Sequence, residues 1–228
     1  MTREELIKKV ALKMDEISSS DDVIVDVDTS DNNPLYAQIN GLLNESVNDV
    51  LMKAPMYRIQ SQTAVDTFAV VGSTTVVELA GGRKAIEFDL PENFLRLVSI
   101  SDGSFKRPIV ELAFEGDEVD KRQHNRHLVA RNEKPVAVLK NVVKGGILSP
   151  EVARAITCYS YGPDDSINPT LIYIKRYDKD QSNLSADTDL DTFISDIVSW
   201  ACAGKVFSAQ GDVNKGKICD DNAVSLMV

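Results

Sequence analysis

The chain of 228 residues is 43% hydrophobic, which is enough to bury one good core, or a main core with a smaller one beside it. This composition argues against disorder along the whole chain. The formal net charge of -10 argues against broad non-specific binding to nucleic acids or anionic membranes, because such binding depends on cations that neutralise phosphates.

Two helices are predicted near the N-terminus. The first covers Arg3–Ile17, because Thr2 and Glu5 have the spacing of a capping box and apolar residues follow at three- and four-residue steps. Asn33 then caps a second amphipathic helix, which has a proline in its first position and ends before Pro55.

A third and longer helix is predicted over Asp189–Gln210. Its apolar residues form one stripe, which contains Leu190, Phe193, Ile194, Ile197, Ala201, Gly204 and Phe207. Asp187 or Thr188 can cap its start, and Gly211 can take the left-handed conformation that ends a helix. We expect the three helices to pack side by side.

The middle of the chain changes to a period of two, with short runs rich in Val, Ile, Phe and Thr. The predicted strands cover Thr67–Val71, Thr74–Leu79, Lys84–Phe88, Phe94–Ile100, Arg107–Leu112, Pro135–Lys140, Gly146–Leu148, Ala153–Tyr159 and Leu171–Tyr177. Gly81 and Gly82 indicate a tight hairpin, and the polar stretch 111–126 a short surface helix. A further run at 23–27 favours a strand or an extended connector. About eight antiparallel strands at this spacing predict a sandwich or an open barrel.

The sequence therefore predicts an α+β fold, in which an α-helical bundle from the N- and C-terminal helices carries an inserted antiparallel β-sandwich or open barrel. The predicted boundaries are 1–60 and 181–211 for the two parts of the helical domain, 61–180 for the β insertion domain and 212–228 for a C-terminal docking tail. This tail is polar at first and apolar at its end. Such a terminus can fray or can dock into the groove of a neighbouring subunit, and the sequence leaves both open.

The cellular setting follows from the cysteines and from the first residues. Cys158, Cys202 and Cys219 are odd in number and widely spaced, which is typical of free thiols in a reducing compartment. The N-terminal stretch is charged where a signal peptide needs an apolar core, and no run of about 18 apolar residues exists. We therefore expect a soluble intracellular product.

No combination of residues predicts a catalytic, cofactor or metal site. His124 and His127 could share a helical face as metal ligands, but further ligands are missing nearby, which favours solvated surface histidines. The aspartates of 187–191 and 26–31 fail as calcium loops at the sixth and twelfth positions. Gly81–Lys84 lacks the spacing of a phosphate loop.

Five segments carry a resemblance to a known family. They are the helix Asn33–Lys53, then Asp89–Ile100, Lys106–Val110, Thr170–Asp178 and the helix end Ala201–Asp212. In this order they resemble the head–tail adaptor proteins of tailed bacteriophages, the connector or head-completion proteins that form a ring beneath the portal in short-tailed phages. The size and acidity are similar to those of the ring proteins of crAss-like phages of gut bacteria.

The resemblance implies a structural virion protein and not an enzyme. The helical domain would surround the DNA channel and contact the portal, and the β insertion would face outward or toward the next tail or ring protein. Family members are generally dodecameric, which implies a closed ring of about twelve copies. Packaged DNA would pass through without specific binding, and neither cofactor nor membrane is implied. The protein would be made in the host cytoplasm and would lie in the virion at the head–tail interface.

Two groups of residues are candidates for contacts with another subunit or with the portal. Arg122, Arg126 and Arg131 add local positive charge, which is either a solvated face or a contact to an acidic patch on a neighbouring copy. By analogy with the family, the C-terminal segment with Leu226, Met227 and Val228 would reach along the portal.

Two other functions remain open from the sequence. A β-sandwich binding module for a carbohydrate or protein ligand would need exposed aromatic residues, and the candidates are Tyr159, Tyr161, Tyr173 and Tyr177. Packing between the sheet and the helices is the interpretation that we favour for these tyrosines. A hydrolase would have to use His124 or His127, and no nucleophile motif accompanies them.

Overall fold

The computed structural model describes residues 1–17, 34–59, 65–69, 75–79, 82–125, 127–144, 151–162 and 167–228. Over these ranges the fold is α+β, as predicted, with six helices, a three-stranded sheet and a five-stranded sheet, and no closed barrel. The chain forms two compact units. The helical unit combines Met1–Val65 with Arg176–Val228, and the β unit is Asp66–Lys175. The run at 23–27, the Asn33 cap and the strand expected at 146–148 lie outside the described residues.

The described helices are α1 (Arg3–Ile17), α2 (Pro34–Lys53), α3 (Met56–Ile59), α4 (Glu118–Gln123), α5 (Thr192–Ala209) and α6 (Val213–Met227). The predictions of α1, of α2 and of a short helix within 111–126 are confirmed. The capping box of α1 is also confirmed, because Thr2 N donates to Glu5 Oε2 at 2.8 Å and Glu5 N donates to Thr2 Oγ1 at 3.2 Å.

Helix α5 is buried along most of its circumference and packs against α1, α2 and α6. Its cap is Asp191, whose Oδ1 accepts from Ile194 N at 2.7 Å, so the prediction of Asp187 or Thr188 as the cap is wrong. Thr188 binds the start of the chain instead, through Oγ1 to Met1 O at 2.8 Å. Gly211 has φ +90 after the helix, as predicted.

The interpretation of 212–228 as a tail that can fray is wrong, because these residues form α6. Asp212 caps the helix through Oδ1, which accepts from Lys215 N at 3.1 Å. The buried residues on its inner face are Gly216, Cys219, Ala223 and Met227. They recur at three- and four-residue steps, but Gly216 and Ala223 are small. The apolar stripe of α6 is therefore difficult to recognise in the sequence.

Two glycines let α5 and α6 approach each other at backbone distance. A Cβ on Gly216 would lie 3.0 Å from Gly204 O and 2.5 Å from Ser208 Oγ. A Cβ on Gly204 would lie 3.1 Å from Gly216 O. Any larger residue at either position would therefore push the two helices apart.

Three asparagines on one face of α2 hold the backbone of an extended segment. The side-chain amides donate to carbonyl oxygens at 2.9 to 3.0 Å, in the pairs Asn48 to Tyr177, Asn44 to Lys179 and Asn40 to Gln181. Successive asparagines are four residues apart on α2, which is a rise of about 6 Å, and successive acceptor carbonyls are two residues apart, which is about 6.6 Å in an extended chain. Because these two spacings are similar, each asparagine lies opposite a carbonyl. We call this set the asparagine ladder.

The ladder also surrounds Arg3, which is 1% exposed. Its Nε donates to Asn40 Oδ1 at 2.6 Å, and its Nη1 donates to Asn44 Oδ1 at 2.8 Å. Burial lowers the pKa of Arg3, and an interaction with Tyr177 opposes this effect. The guanidinium thus joins α1 to α2 and to the segment that the ladder holds.

The β unit contains β1 (Val65–Ala69), β2 (Thr75–Leu79), β3 (Arg83–Asp89), β4 (Phe94–Ser101), β5 (Leu112–Phe114), β6 (Val136–Lys144), β7 (Glu151–Tyr161) and β8 (Thr170–Lys175). The strand orders are β1-β8-β4 and β2-β3-β7-β6-β5. The antiparallel pairing of β2 with β3 confirms the predicted hairpin, in which Gly82 has φ +76 and Gly81 lies outside the described residues. Two strand predictions are wrong: β5 pairs with β6 in parallel, and 107–111 forms only a bridge from Ile109 to Ile100.

The main core of the β unit takes side chains from both sheets, and a smaller core lies on the other face of the five-stranded sheet. A bulge distributes two tyrosines of β7 between these cores. Ser160 has φ +145 at a register shift, so Tyr159 lies in the smaller core and Tyr161 in the main one. Within the described ranges, no helix is long and apolar enough to span a bilayer.

We expect Gly216→Ala to lower the free energy of unfolding by about 1–3 kcal/mol, although alanine is the better helix former, because its Cβ meets the backbone of α5. Urea denaturation followed by circular dichroism measures this change. The matched control is Gly41→Ala on α2, where no atom lies within 4 Å, and it should raise stability by about 0.5–1 kcal/mol. Two variants of equal stability would contradict the close crossing.

We expect Asn44→Ala to lower the free energy of unfolding by about 2–4 kcal/mol, because Arg3 loses an acceptor and Lys179 O loses a donor. The same denaturation experiment applies. Asn214→Ala, at an exposed position of α6, is the control and should change stability by less than about 0.5 kcal/mol. A loss at Asn44 no larger than in the control would show that the ladder contributes little to stability.

Candidate functional site

Two of the arginines that the sequence singles out come together on the β unit. Arg122 and Arg131 line one depression of about 560 Å³. Its wall includes Val119 and Leu128, which are exposed to 39% and 57%. We define the β-unit patch as Val119, Arg122, Leu128, Arg131 and Lys134. Arg126 lies outside the described residues.

Hydrogen bonds from buried or half-buried side chains fix the backbone of the patch. Gln123 donates through Nε2 to Val119 O at 2.7 Å, and its Oε1 accepts from Ala130 N at 2.9 Å. Arg83 Nη1 donates to Val129 O at 3.2 Å and to Ala130 O at 3.1 Å. The loop after α4 is therefore tied to α4 and to β3, and it presents its side chains in a defined arrangement.

Asp120 is a residue of α4 that places its carboxylate on the buried side of this helix. Its Oδ2 accepts from Gly116 N at 3.0 Å, whereas its Oδ1 has no hydrogen-bond partner within the described parts of the chain. Lys140 Nζ and His124 Nε2 each lie 3.9 Å from Oδ1. Lys140 Nζ also donates to Tyr159 Oη at 2.7 Å. Burial lowers the pKa of Lys140, but Tyr159 and Asp120 outweigh it and the net shift is upward.

Sequence reasoning missed this ionic group. One signal was available in β6, where Lys140 follows Val136 and Val138 at alternate positions. Those two valines pack in the smaller core, so a third residue on the same face is expected to be partly buried. What the sequence could not supply is the partner, because Asp120 comes from α4, about twenty residues earlier in the chain.

Cations outnumber anions in the lining of the depression at the β-unit patch. The lining of the depression contains Arg122, Arg131 and Lys134 but one acid, Glu133. Glu133 Oε1 pairs with Lys106 Nζ at 3.0 Å, and this hydrogen bond lowers the pKa of Glu133. Arg122 bonds Glu118 on the same helix. The patch therefore combines exposed apolar surface with cationic groups at its rim.

Further apolar surface adjoins the patch at the edge of the five-stranded sheet. Val110 and Phe114 are each exposed to 61%, and β5 is the terminal strand of this sheet. A second depression of about 540 Å³ runs along β5 and shares Val119 with the first. Contiguous exposed apolar side chains of this kind mark interaction sites in many proteins.

The helical unit carries almost all of the net negative charge of the chain. Over 1–65 and 176–228 the sequence has 11 Lys and Arg against 20 Asp and Glu, which gives -9, and over 66–175 it has 14 against 15, which gives -1. The exposed acids include five aspartates in residues 177–191, the segment that begins at the asparagine ladder and that we call the acidic belt. They are Asp178, Asp180, Asp187, Asp189 and Asp191.

The C-terminal candidate residues do not form a free apolar end. Met227 is buried on the inner face of α6, and Leu226 is half-buried. Val228 is exposed to 90%, and its carbonyl oxygen accepts from Tyr57 Oη at 3.4 Å. Of these three residues, Val228 alone retains the exposure that a contact with another protein needs.

The residues considered for catalysis or metal binding do not assemble into a site within the described part of the chain. His124 and His127 are both exposed, and within the described residues no group of three His, Cys, Asp or Glu side chains could hold a metal ion. All three cysteines are buried free thiols, and burial raises the pKa of Cys202 and of Cys219 to about 11. Thiolate is therefore scarce at these two positions near neutral pH.

The four tyrosines that a ligand-binding sandwich would use are buried. Tyr159, Tyr161, Tyr173 and Tyr177 are exposed to 9% or less. The hydroxyl groups of Tyr159, Tyr161 and Tyr173 are hydrogen-bonded within the protein, and Tyr173 Oη donates to Asn93 Oδ1 at 2.8 Å. A carbohydrate has no access to the faces of these rings.

Comparison with known proteins adds no relative: the chain matches no protein-family model and has no significant match among curated protein sequences. Its function must therefore be inferred from the two units, their net charges and their exposed surfaces.

We expect Lys140→Met to lower the free energy of unfolding by about 3–5 kcal/mol, because it leaves the buried Asp120 carboxylate without its lysine. The control, Lys106→Met, removes an exposed ion pair with Glu133 and should leave the urea midpoint almost unchanged. Urea denaturation measures both. Adding Asp120→Asn to Lys140→Met should recover part of the loss. Equal losses in the two single variants would show that Asp120 does not depend on Lys140.

Proposed function

We propose that the protein is a structural virion component, a head–tail connector that assembles into a closed ring of about twelve copies. In this proposal the ring joins the portal to the next tail or ring protein and extends the channel through which packaged DNA passes. The finer architecture that goes with it is a helical bundle built from both ends of the chain, carrying the β unit as a sandwich-like insertion.

One observation carries the proposal: segments from both ends of the chain build one helical unit that holds nearly all of the net negative charge. The segment order that resembles phage adaptor proteins requires this joining of the two ends. A ring needs a part that packs around the channel and a part that reaches neighbouring components, and two compact units supply one for each task.

The mechanism in this proposal is geometric and electrostatic. A channel wall with many carboxylates repels phosphates, so DNA slides past without being gripped. Closing the ring requires heterologous contacts, in which one surface of each copy meets a different surface of the next. The β-unit patch and the acidic surface of the helical unit differ in charge, so one can meet the other in a contact of this kind.

The alternative, a β-sandwich module that binds a carbohydrate or protein ligand through exposed aromatic residues, has less support. Its four tyrosines are buried, so the side chains that would carry recognition are unavailable to a ligand in this fold.

The test uses the full chain, alone and with the portal protein encoded in the same phage genome. We expect native mass spectrometry and electron microscopy to find a closed ring of about twelve copies, formed alone or on the portal. A short fluorescent DNA duplex should show no change in anisotropy on addition of the protein at physiological salt. A chain that stays monomeric at every concentration and ignores the portal would overturn the proposal.

A further inference from the structure

We propose that the β-unit patch binds the acidic belt of a second copy of this chain. The inference rests on the proposed ring and identifies the surface through which neighbouring subunits would meet. It is argued from the charge, the exposure and the rigidity of the two surfaces.

The two surfaces are complementary in charge. The patch presents Arg122, Arg131 and Lys134 beside exposed apolar side chains. The acidic belt presents five exposed aspartates, with Lys179 as the lysine in the same stretch. Lys179 Nζ already bonds Asp189 Oδ2 at 2.5 Å within the belt. The belt of a second copy therefore provides carboxylates for the cationic side chains at the rim of the patch.

The belt is held in a fixed conformation before any partner arrives. The asparagine ladder binds its first residues, and Arg3 N and Glu4 N donate at 2.9 Å to the carbonyls of Ala186 and Leu184. Asp178 and Asp180 lie two residues apart next to the asparagine ladder, and both are exposed. A segment already ordered in the free subunit loses little conformational entropy on binding.

The patch is equally well ordered. The hydrogen bonds of Gln123 and Arg83 fix its loop, and the buried Asp120 group fixes α4 beneath it. Each copy has one patch and one belt, on two different units of the chain. The contact is therefore heterologous, and a heterologous contact repeated from copy to copy forms a ring when its rotation closes.

Charge reversal and charge exchange test the proposal. We expect Arg122→Glu with Arg131→Glu to weaken self-association of the full chain at least about tenfold in sedimentation velocity. Asp178→Lys with Asp180→Lys should weaken it similarly, because like charges would then face each other. All four substitutions in one chain should restore association to within about threefold of the unaltered protein, because each contact regains opposite charges.

The control pair is Lys53→Glu with Arg154→Glu, two exposed cations outside the patch and the belt, with the same change in net charge. It should associate like the unaltered protein, and all variants should keep the same circular dichroism spectrum. Association of the unaltered chain should also weaken as salt is raised.

The outcomes separate this inference from the proposed function. Rings that form equally well with and without the two arginines would overturn the patch as the contact but leave the connector proposal standing. Loss of portal binding alone, with self-association intact, would assign the patch to the portal and overturn the inference. A chain that never self-associates, with or without portal, would overturn both.

Discussion

The burial of Arg3 is the interaction on which the helical unit depends. A guanidinium that is 1% exposed must have its donors satisfied inside the protein, and Asn40 and Asn44 on α2 supply the acceptors. Because the oxygen of each amide is used by Arg3, its nitrogen remains to bind the backbone of 177–181. One buried cation thus fixes α1 to α2 and also fixes where the chain returns from the β unit. Helix α5 then begins at Thr192, directly after its cap Asp191, where this returning segment ends.

The helical unit presents acidic groups at the belt, and the β unit presents cationic groups at the patch. Both the backbone of the belt and several of its carboxylates make internal bonds, and its five aspartates remain exposed at the surface. In the β unit the buried acid, Asp120, is used to hold Lys140, and the remaining cations near α4 stay at the surface. A charge of -9 on one unit and -1 on the other gives each copy two faces of different electrostatic character, which is what head-to-tail assembly in the proposed ring would need.

Where sequence reasoning succeeded, the signal was local. The capping box of α1, Pro34 at the start of α2 and Gly211 after α5 each act within about one helical turn, and each lies where it was expected. Where it failed, the deciding contact was distant in sequence. Helix α6 was missed because its inner face is built from Gly216 and Ala223, which become recognisable as a packing surface only when α5 lies against them. The parallel pairing of β5 with β6 is a second example, because its partners, such as Leu112 and Ala137, are distant in the sequence.

The α+β class, the ends of the N-terminal helices, the acidic charge and the clustering of arginines within 122–131 could all be read from the amino-acid sequence. These follow from composition and from interactions between near neighbours in the chain, which a linear sequence contains. Three features emerge only in the folded chain: Arg122 and Arg131 line one depression, Asp120 lies near Lys140, and the asparagine ladder binds the returning segment. The physical reason is that each of these contacts joins residues from different elements. Its free energy exists only after the backbone has brought the elements together, and no local pattern encodes that distance.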